Sequence, residues 1–139
     1  MFGLKIKEIF MRFILFCLSL CLMLIYSCTD DDDCACTMEF RMITVAVVDE
    51  MNVPVLGLTT EVKDDSGKVY DVYNDPLIFP GHYTVMDDNY TRELTTQPKR
   101  FIFTGIKDSL TVNGEFFVNT DECKCHVEKV SGPDTLILR

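Results

Sequence analysis

Residues 41–73 read RMITVAVVDEMNVPVLGLTTEVKDDSGKVYDVY, and they carry the strongest structural signal in the chain. Short runs of β-branched and aromatic residues alternate here with turn clusters about every ten residues, which is typical of antiparallel β-structure. The run 41–48 is apolar almost throughout, so we expect a central strand. The cluster 64–67 predicts a hairpin turn, because Gly67 can supply the positive φ that a type I turn with a bulge requires.

The same alternation continues to the C-terminus, where no apolar positions repeat at helical spacing for three turns. The segment 87–98 is polar, and we expect it to be irregular. Asn113-Gly114 predicts a hairpin tip or a bulge inside its strand. The sequence therefore predicts an all-β fold, an immunoglobulin-like or prealbumin-like β-sandwich of seven to nine short strands. Beyond 41–48, the predicted strands cover 58–63, 68–73, 82–86, 100–104, 109–119, 122–130 and 135–138.

Part of this pattern resembles a known domain family. The segments that carry the resemblance are 45–49 (VAVVD), 53–57 (VPVLG), 65–67 (DSG) and 80–85 (PGHYTV). Together they resemble the carboxypeptidase regulatory-like, transthyretin-like β-sandwich domains over about residues 38–90. Asn52 stands where the family pattern has a turn glycine, and asparagine also adopts the left-handed conformation. The resemblance implies a non-catalytic module that serves as a spacer, an adhesive unit or a docking domain.

The first 27 residues have the three parts of a secretory signal peptide: a basic start, an apolar run and a small residue at the cut. The apolar run 13–26 is shorter than the roughly 20 residues that a membrane-spanning helix needs. Ile25-Tyr26-Ser27-Cys28 resembles a bacterial lipobox, which implies cleavage before Cys28 and lipidation of that cysteine. Translation from Met11 would give a tighter signal peptide, and both starts stay open. We expect a signal peptide over 1–27, an acidic tether over 28–33 and one domain over 34–139.

An acidic run, Asp30 to Asp33, follows the expected lipidation site. In one phylum of Gram-negative bacteria, such a run resembles an export signal to the outer face of the outer membrane. Ser109 and Thr135 lie in Asp-Ser/Thr-aliphatic tripeptides that resemble O-glycosylation sites of the same phylum. The resemblance implies a lipid-anchored protein of the outer membrane that is exposed at the cell surface, and the periplasmic face remains the alternative.

The net charge of the chain limits the classes of partner that it can bind. Removal of the leader, with its Lys5, Lys7, Glu8 and Arg12, leaves 10 basic and 21 acidic side chains, a net charge of −11 against −9 for the whole chain. A field of that sign repels phosphate backbones, so we expect no nucleic-acid partner. We expect the membrane, through the N-terminal lipid, and an unidentified protein or glycan of the envelope as partners.

Four cysteines remain after the leader and the expected lipid site are set aside, and they form two Cys-x-Cys pairs at the ends of the domain: Cys34, Cys36, Cys123 and Cys125. An even number of cysteines in an exported chain indicates disulfides. If both pairs lie on neighbouring strands, their side chains can face each other. A bond between the ends would close a loop of about 90 residues and stabilise the fold by about 4–5 kcal/mol. Sequence leaves both cross-linked pairings open. The alternatives to disulfides are free thiols and zinc bound by four thiolates, or by three and His126.

No fingerprint of a catalytic or cofactor-binding site occurs in the chain. His82 is expected to lie at the surface or to form a hydrogen bond, and a strand over 122–130 would point Cys125 and His126 to opposite faces. Calcium binding by Asp87, Asp88 and Asn89 is a weak alternative to turn solvation. We expect no catalytic residue, no metal and no cofactor. The tyrosines that could contact sugar or protein are Tyr70, Tyr73, Tyr83 and Tyr90.

These observations predict a lipid-anchored, non-catalytic binding or structural accessory module of the cell envelope rather than an enzyme. One alternative is a small periplasmic or surface hydrolase or metal-binding protein, which would need a pocket that brings His82 or His126 together with carboxylates. The other is a peptidase inhibitor, which would need an exposed, ordered loop such as 87–98.

Overall fold

The computed structural model of this chain describes residues 34–74 and 79–139. Ala35–Arg139 forms a compact unit that contains every described strand. The described residues form eight strands and one 3-10 helix, so the all-β prediction is confirmed. The strands are β1 (Met42–Val48), β2 (Thr59–Asp64), β3 (Val69–Tyr70), β4 (His82–Asp87), β5 (Lys99–Lys107), β6 (Leu110–Thr120), β7 (Val127–Ser131) and β8 (Thr135–Ile137); the helix covers Asp88–Glu93.

The strands are arranged in two sheets. The smaller has the order β4-β1-β8, and the larger has the order β3-β2-β5-β6-β7. All pairs of the larger sheet are antiparallel, whereas β1 pairs antiparallel with β4 and parallel with β8. The apolar run that opens the domain is therefore the central strand of its sheet, as predicted.

The core consists of the inward-facing side chains of both sheets. Val45 and Val47 of β1 are fully buried, as are Phe101 and Phe103 of β5 and Phe116 of β6. The two phenylalanines of β5 face the same side, because side chains two apart on a strand share a face. Burial of each such side chain stabilises the fold by roughly 1.5–3 kcal/mol.

The turns of the first half follow local chemistry. Asp49 accepts hydrogen bonds at Oδ1 from the backbone N–H of Met51 and of Val53, and Asn52 has a φ of 60°. In the β2–β3 hairpin, Asp64 Oδ1 accepts from Lys68 N–H, and Gly67 has a φ of 83°. Both conformations are those that the turn residues predict.

The predicted break at Asn113-Gly114 is wrong, because β6 runs through it without interruption. Asn113 pairs with Thr104, and Gly114 pairs with Phe103, in an unshifted register. A Cβ atom at Gly114 would lie 2.9 Å from Leu136 Cδ1, so this glycine makes room for a side chain of the other sheet. The hairpin tip lies earlier, at Asp108, whose φ is 54°.

Three further boundaries differ from expectation. The strand predicted over 122–130 is only Val127–Ser131, because the cysteines before it lie in a turn where Lys124 has a φ of 55°. The strand predicted over 68–73 is only Val69–Tyr70. The segment expected to be irregular contains the 3-10 helix, whose Thr91 is buried.

Candidate functional site

Two of the expected features lie outside the described residues. They are the lipidation site, Cys28, and the acidic tether 28–33. The candidate site is therefore built from residues 34–74 and 79–139.

A disulfide joins the two ends of the domain. Cys36 and Cys125 are bonded across a sequence separation of 89 residues, with 5.4 Å between their Cα atoms. Cys34 and Cys123 are disulfide-bonded as well. The expected cross-link between the two Cys-x-Cys pairs is thus present, although neither pair lies in a strand. Disulfide sulfurs offer no thiolate to zinc, and the described residues contain no cluster of three or more His, Cys, Asp or Glu side chains placed to hold a metal.

His126, directly after Cys125, is the best-connected histidine among the described residues. Its ring is buried, with Nδ1 2.7 Å from Asp88 Oδ2 and Nε2 2.9 Å from Thr37 Oγ1. The expectation that Cys125 and His126 point to opposite faces depends on a strand, and these two residues lie outside β7. The imidazole instead connects the segment before β1 with the 3-10 helix.

Asp88 connects three distant segments through one carboxylate. Its Oδ2 accepts from Arg41 N–H at 2.8 Å and lies against the His126 ring, and its Oδ1 accepts from Val127 N–H at 2.8 Å. Burial raises the pKa of Asp88, but the hydrogen bonds from His126 and from the two backbone amides outweigh it and hold that pKa below its usual value. The carboxylate is therefore ionised at neutral pH.

Asp121 organises the turn that carries the second cysteine pair. Its Oδ1 accepts from Cys125 N–H at 2.7 Å, and its Oδ2 accepts from His126 N–H at 3.2 Å. Its own carbonyl accepts from Lys124 N–H. Through these contacts Asp121 holds both the disulfide and the histidine in place.

Asp87 and Asp88 do not form the calcium site considered from sequence. Asp87 is 1% exposed, and its Oδ1 caps the 3-10 helix by accepting from Asn89 N–H. Burial raises the pKa of Asp87. Because one carboxylate caps the helix and the other holds His126, the two do not converge on one point.

A second buried carboxylate lies at the β2–β3 hairpin. Asp64 Oδ2 is 2.7 Å from Lys99 Nζ and accepts from the Tyr70 hydroxyl at 3.0 Å. The hydrogen bond from Lys99 is the main reason that the pKa of Asp64 lies well below its usual value. The cluster lies beside the ring of Phe101, which Tyr70 contacts edge-on at 5.2 Å between centroids.

His82 lies at the surface, as predicted, with Nδ1 3.4 Å from the Pro80 carbonyl oxygen. It lines a shallow cavity together with Gly57, Leu58, Asn74, Gly81 and Tyr83. This lining includes no carboxylate, so the arrangement that would favour a His82-based hydrolase is absent from it.

The four tyrosines that were considered for contact with sugar or protein differ in their burial. Tyr70 and Tyr83 belong to the core, and the Tyr83 hydroxyl donates to the Val55 carbonyl. Tyr90 is partly buried and donates to the Asp71 carbonyl. Tyr73 is the exposed one of the four.

Ser109 and Thr135, the expected glycosylation sites, are both exposed. Ser109 lies in the β5–β6 turn, and Thr135 begins β8. Their modification stays a prediction.

Sequence reasoning missed Thr37 and Asp88 as partners of His126, and Arg41 as a partner of Asp88. The sequence offers no signal for these contacts, because the residues of each pair lie 38 to 89 positions apart along the chain. Among the described residues, no helix is long and apolar enough to cross a membrane.

No protein-family model matches this chain, and comparison with curated proteins and with solved structures yields no match either.

Proposed function

We propose that this chain is a lipid-anchored protein of the bacterial cell envelope, exposed at the cell surface, that acts as a non-catalytic binding or structural accessory module. The observation that carries the proposal is the Cys36–Cys125 disulfide, which closes the domain eight residues after the expected lipid site. A disulfide indicates an oxidising compartment outside the cytoplasm. Eight extended residues span at most about 29 Å, so a lipid on Cys28 would hold the domain close to the bilayer.

The arrangement of the domain supports an immunoglobulin-like or prealbumin-like module of the carboxypeptidase regulatory-like kind. Two sheets enclose one core, and the segments that carry the resemblance form β1, the turn after it, the β2–β3 hairpin and β4. Asn52 adopts the left-handed conformation that the family pattern assigns to glycine. This agreement extends over the first half of the domain.

Internal saturation of the polar groups supports a binding or structural role. Asp88 and both ring nitrogens of His126 are occupied by partners within the domain, and so is Asp64. Such contacts stabilise a fold, because they give its buried polar groups hydrogen-bond partners inside the domain. The exposure of Ser109 is compatible with glycosylation at the cell surface.

Metabolic labelling with a fatty-acid probe tests the anchor. We expect the full chain to be labelled in its native host and a Cys28→Ala variant to lose the label, because the lipid requires the thiol of that residue. A Ser27→Thr variant serves as the control, since it leaves the cysteine intact. Equal labelling of wild type and Cys28→Ala would refute the lipid anchor.

Protease accessibility on intact cells then distinguishes the two faces of the outer membrane, since degradation of the domain requires surface exposure.

A hydrolase is the second candidate, and one observation favours it. Thr37 Oγ1, His126 and Asp88 form a hydroxyl–imidazole–carboxylate series with the order and spacing of a catalytic triad, and Thr37 is exposed. In ester cleavage, Thr37 Oγ1 would attack the carbonyl carbon and pass its proton through His126 Nε2 to the departing alkoxide, and water would then release the acyl group. A fluorophosphonate probe should label Thr37 and spare a His126→Gln variant. A folded wild-type protein that stays unlabelled rejects this candidate.

A further inference from the structure

The outer face of the three-stranded sheet carries almost no charge. Pairing of Ala46 with Thr135, and of Val48 with Ile137, places all four side chains on the side opposite the buried Val47. On β4, outward positions are taken by His82 and Thr84, which pair with Ala46 and Thr44. Among the outward residues of strands β1, β4 and β8, the one Asp, Glu, Lys or Arg side chain is Asp87, which is buried. Beyond the end of β8, the exposed Arg139 continues the alternation of Thr135 and Ile137.

The exposed part of this surface is mostly apolar, with His82 and Thr135 as its exposed polar residues, and it is continuous with the segment that leads to the tether. Met42 and Ile137 are 40% and 49% exposed. Arg41 continues the β1–β4 ladder, because its carbonyl accepts a hydrogen bond from Asp88 N–H. Phe40 precedes Met42 by two positions, so its side chain extends the same face. We call this surface the neutral face; it consists of Phe40, Met42, Thr44, Ala46, Val48, Thr135 and Ile137.

The outer face of the five-stranded sheet is different. There Lys63 pairs with Glu61 at 2.6 Å, and Arg100 pairs with Glu115 at 2.8 Å and with Asp65 at 2.7 Å. Exposed ion pairs of this kind are typical of a surface that remains in water. The two outer faces of the sandwich therefore differ in polarity.

The neutral face also begins close to the expected anchor along the sequence. Phe40 follows Cys36 by four residues and Cys28 by twelve. A lipid on Cys28 would hold the Cys36–Cys125 disulfide within about 29 Å of the bilayer. The bilayer is the apolar phase that the anchor itself brings close to the domain. Apolar patches rimmed by polar residues mark protein or membrane contact sites. A chain with a net charge of −9 is repelled by an identical copy, and also by anionic headgroups wherever it presents carboxylates.

We propose that the neutral face lies against the lipid bilayer, with Phe40, Met42 and Ile137 at the boundary between headgroups and acyl chains. This inference rests on the proposed lipid anchor, which supplies the local concentration that a small patch needs to remain bound. The charged outer face of the five-stranded sheet then points away from the membrane and is available to a partner.

The absence of tryptophan from the chain makes a direct test possible. An Ile137→Trp variant places the probe on the neutral face, and an Ile106→Trp variant places it on the opposite outer face, where Ile106 is 44% exposed. Full-length lipidated variants are reconstituted into phosphatidylcholine vesicles with brominated acyl chains. We expect the emission of Ile137→Trp to shift to shorter wavelength and to be quenched several-fold more strongly than that of Ile106→Trp.

Each other outcome has a definite meaning. Equal quenching of the two variants, or no quenching at position 137, overturns the inference. A shift of the Ile137→Trp emission to shorter wavelength without quenching by brominated lipid indicates contact with a second copy of the chain. That outcome overturns the inference as well. If Ile137→Trp fails to fold by circular dichroism, Met42→Trp replaces it. The intact mass and vesicle flotation of each variant report on the lipid, so an unlipidated protein that does not float refutes the proposed anchor itself rather than the orientation.

Discussion

Asp64 and Asp88 are both buried carboxylates with several hydrogen bonds, yet they hold different kinds of contact together. Asp64 binds residues of its own hairpin, two to six positions away, and Lys99 of the adjacent strand. Asp88 binds Arg41, His126 and Val127, which lie 38 to 47 positions away. The first cluster shapes a turn, whereas the second ties the start of the domain to its end.

This difference predicts different consequences for stability. The Asp88 cluster lies beside the Cys36–Cys125 disulfide, so both act on the same long closed loop. The Asp64 cluster closes a short hairpin at the edge of the larger sheet, and the Lys99 side chain remains 38% exposed to solvent. We therefore expect disruption of the Asp88 cluster to affect global unfolding and disruption of the Asp64 cluster to remain local.

The largest effect should follow reduction of the disulfides. Opening a cross-link that spans 89 residues should lower the free energy of unfolding by about 4 kcal/mol, because the unfolded chain regains the entropy of the loop. Urea denaturation with and without reductant, followed by circular dichroism, measures the change. A Cys36→Ser/Cys125→Ser variant should lose less, since Cys34 and Cys123 are also disulfide-bonded. Unchanged stability after complete reduction would contradict this ranking.

Asp88→Ala should have the next largest effect. The substitution leaves His126 Nδ1 and the amides of Arg41 and Val127 without their acceptor, which should cost about 3 kcal/mol. Hydrogen exchange should show faster exchange of both amides, one before β1 and one in β7. Loss of protection at only one of the two would show that the carboxylate does not couple the two ends of the domain.

Asp64→Asn should destabilise less than Asp88→Ala and more locally. The neutral amide keeps one acceptor for the hairpin amides and loses the ion pair with Lys99, which solvent already screens. Hydrogen exchange should accelerate at Ser66 and Lys68 while the amide of Val127 stays protected. A global loss of protection would remove the distinction between the two clusters.

Low pH should have the smallest effect on the free energy of unfolding, and it tests both carboxylate clusters. The pKa of each carboxylate is lower in the folded protein than its usual value, so the unfolded chain binds more protons as pH falls. The stability that both contribute is therefore complete above about pH 4 and is lost as pH falls through the folded pKa values. Unfolding free energies between neutral pH and pH 2 should show a shallower acid slope for Asp88→Asn than for wild type. An unchanged slope would mean that Asp88 is not the linked group.

Much of the fold could be predicted because its signals are local. An apolar run indicates β1, alternation indicates β5, and single residues such as Gly67 and Asn52 indicate turns through the φ they allow. The errors occur where distant residues take part. Gly114 predicts a break by its residue type, whereas its role is to accommodate Leu136 of the other sheet. The spacing of the second cysteine pair predicts a strand, whereas Asp121 holds that pair in a turn.

The amino-acid sequence by itself determined the all-β class, the turns of the first half and the number of cysteines free to cross-link, because each depends on neighbouring residues or on simple counting. Only the tertiary structure decided that Cys36 pairs with Cys125, that Asp88 and Thr37 hold His126, and that the strands of one outer face carry no exposed Asp, Glu, Lys or Arg side chain. These features depend on strand order and register, which bring together residues far apart in the chain, and no local pattern encodes that proximity.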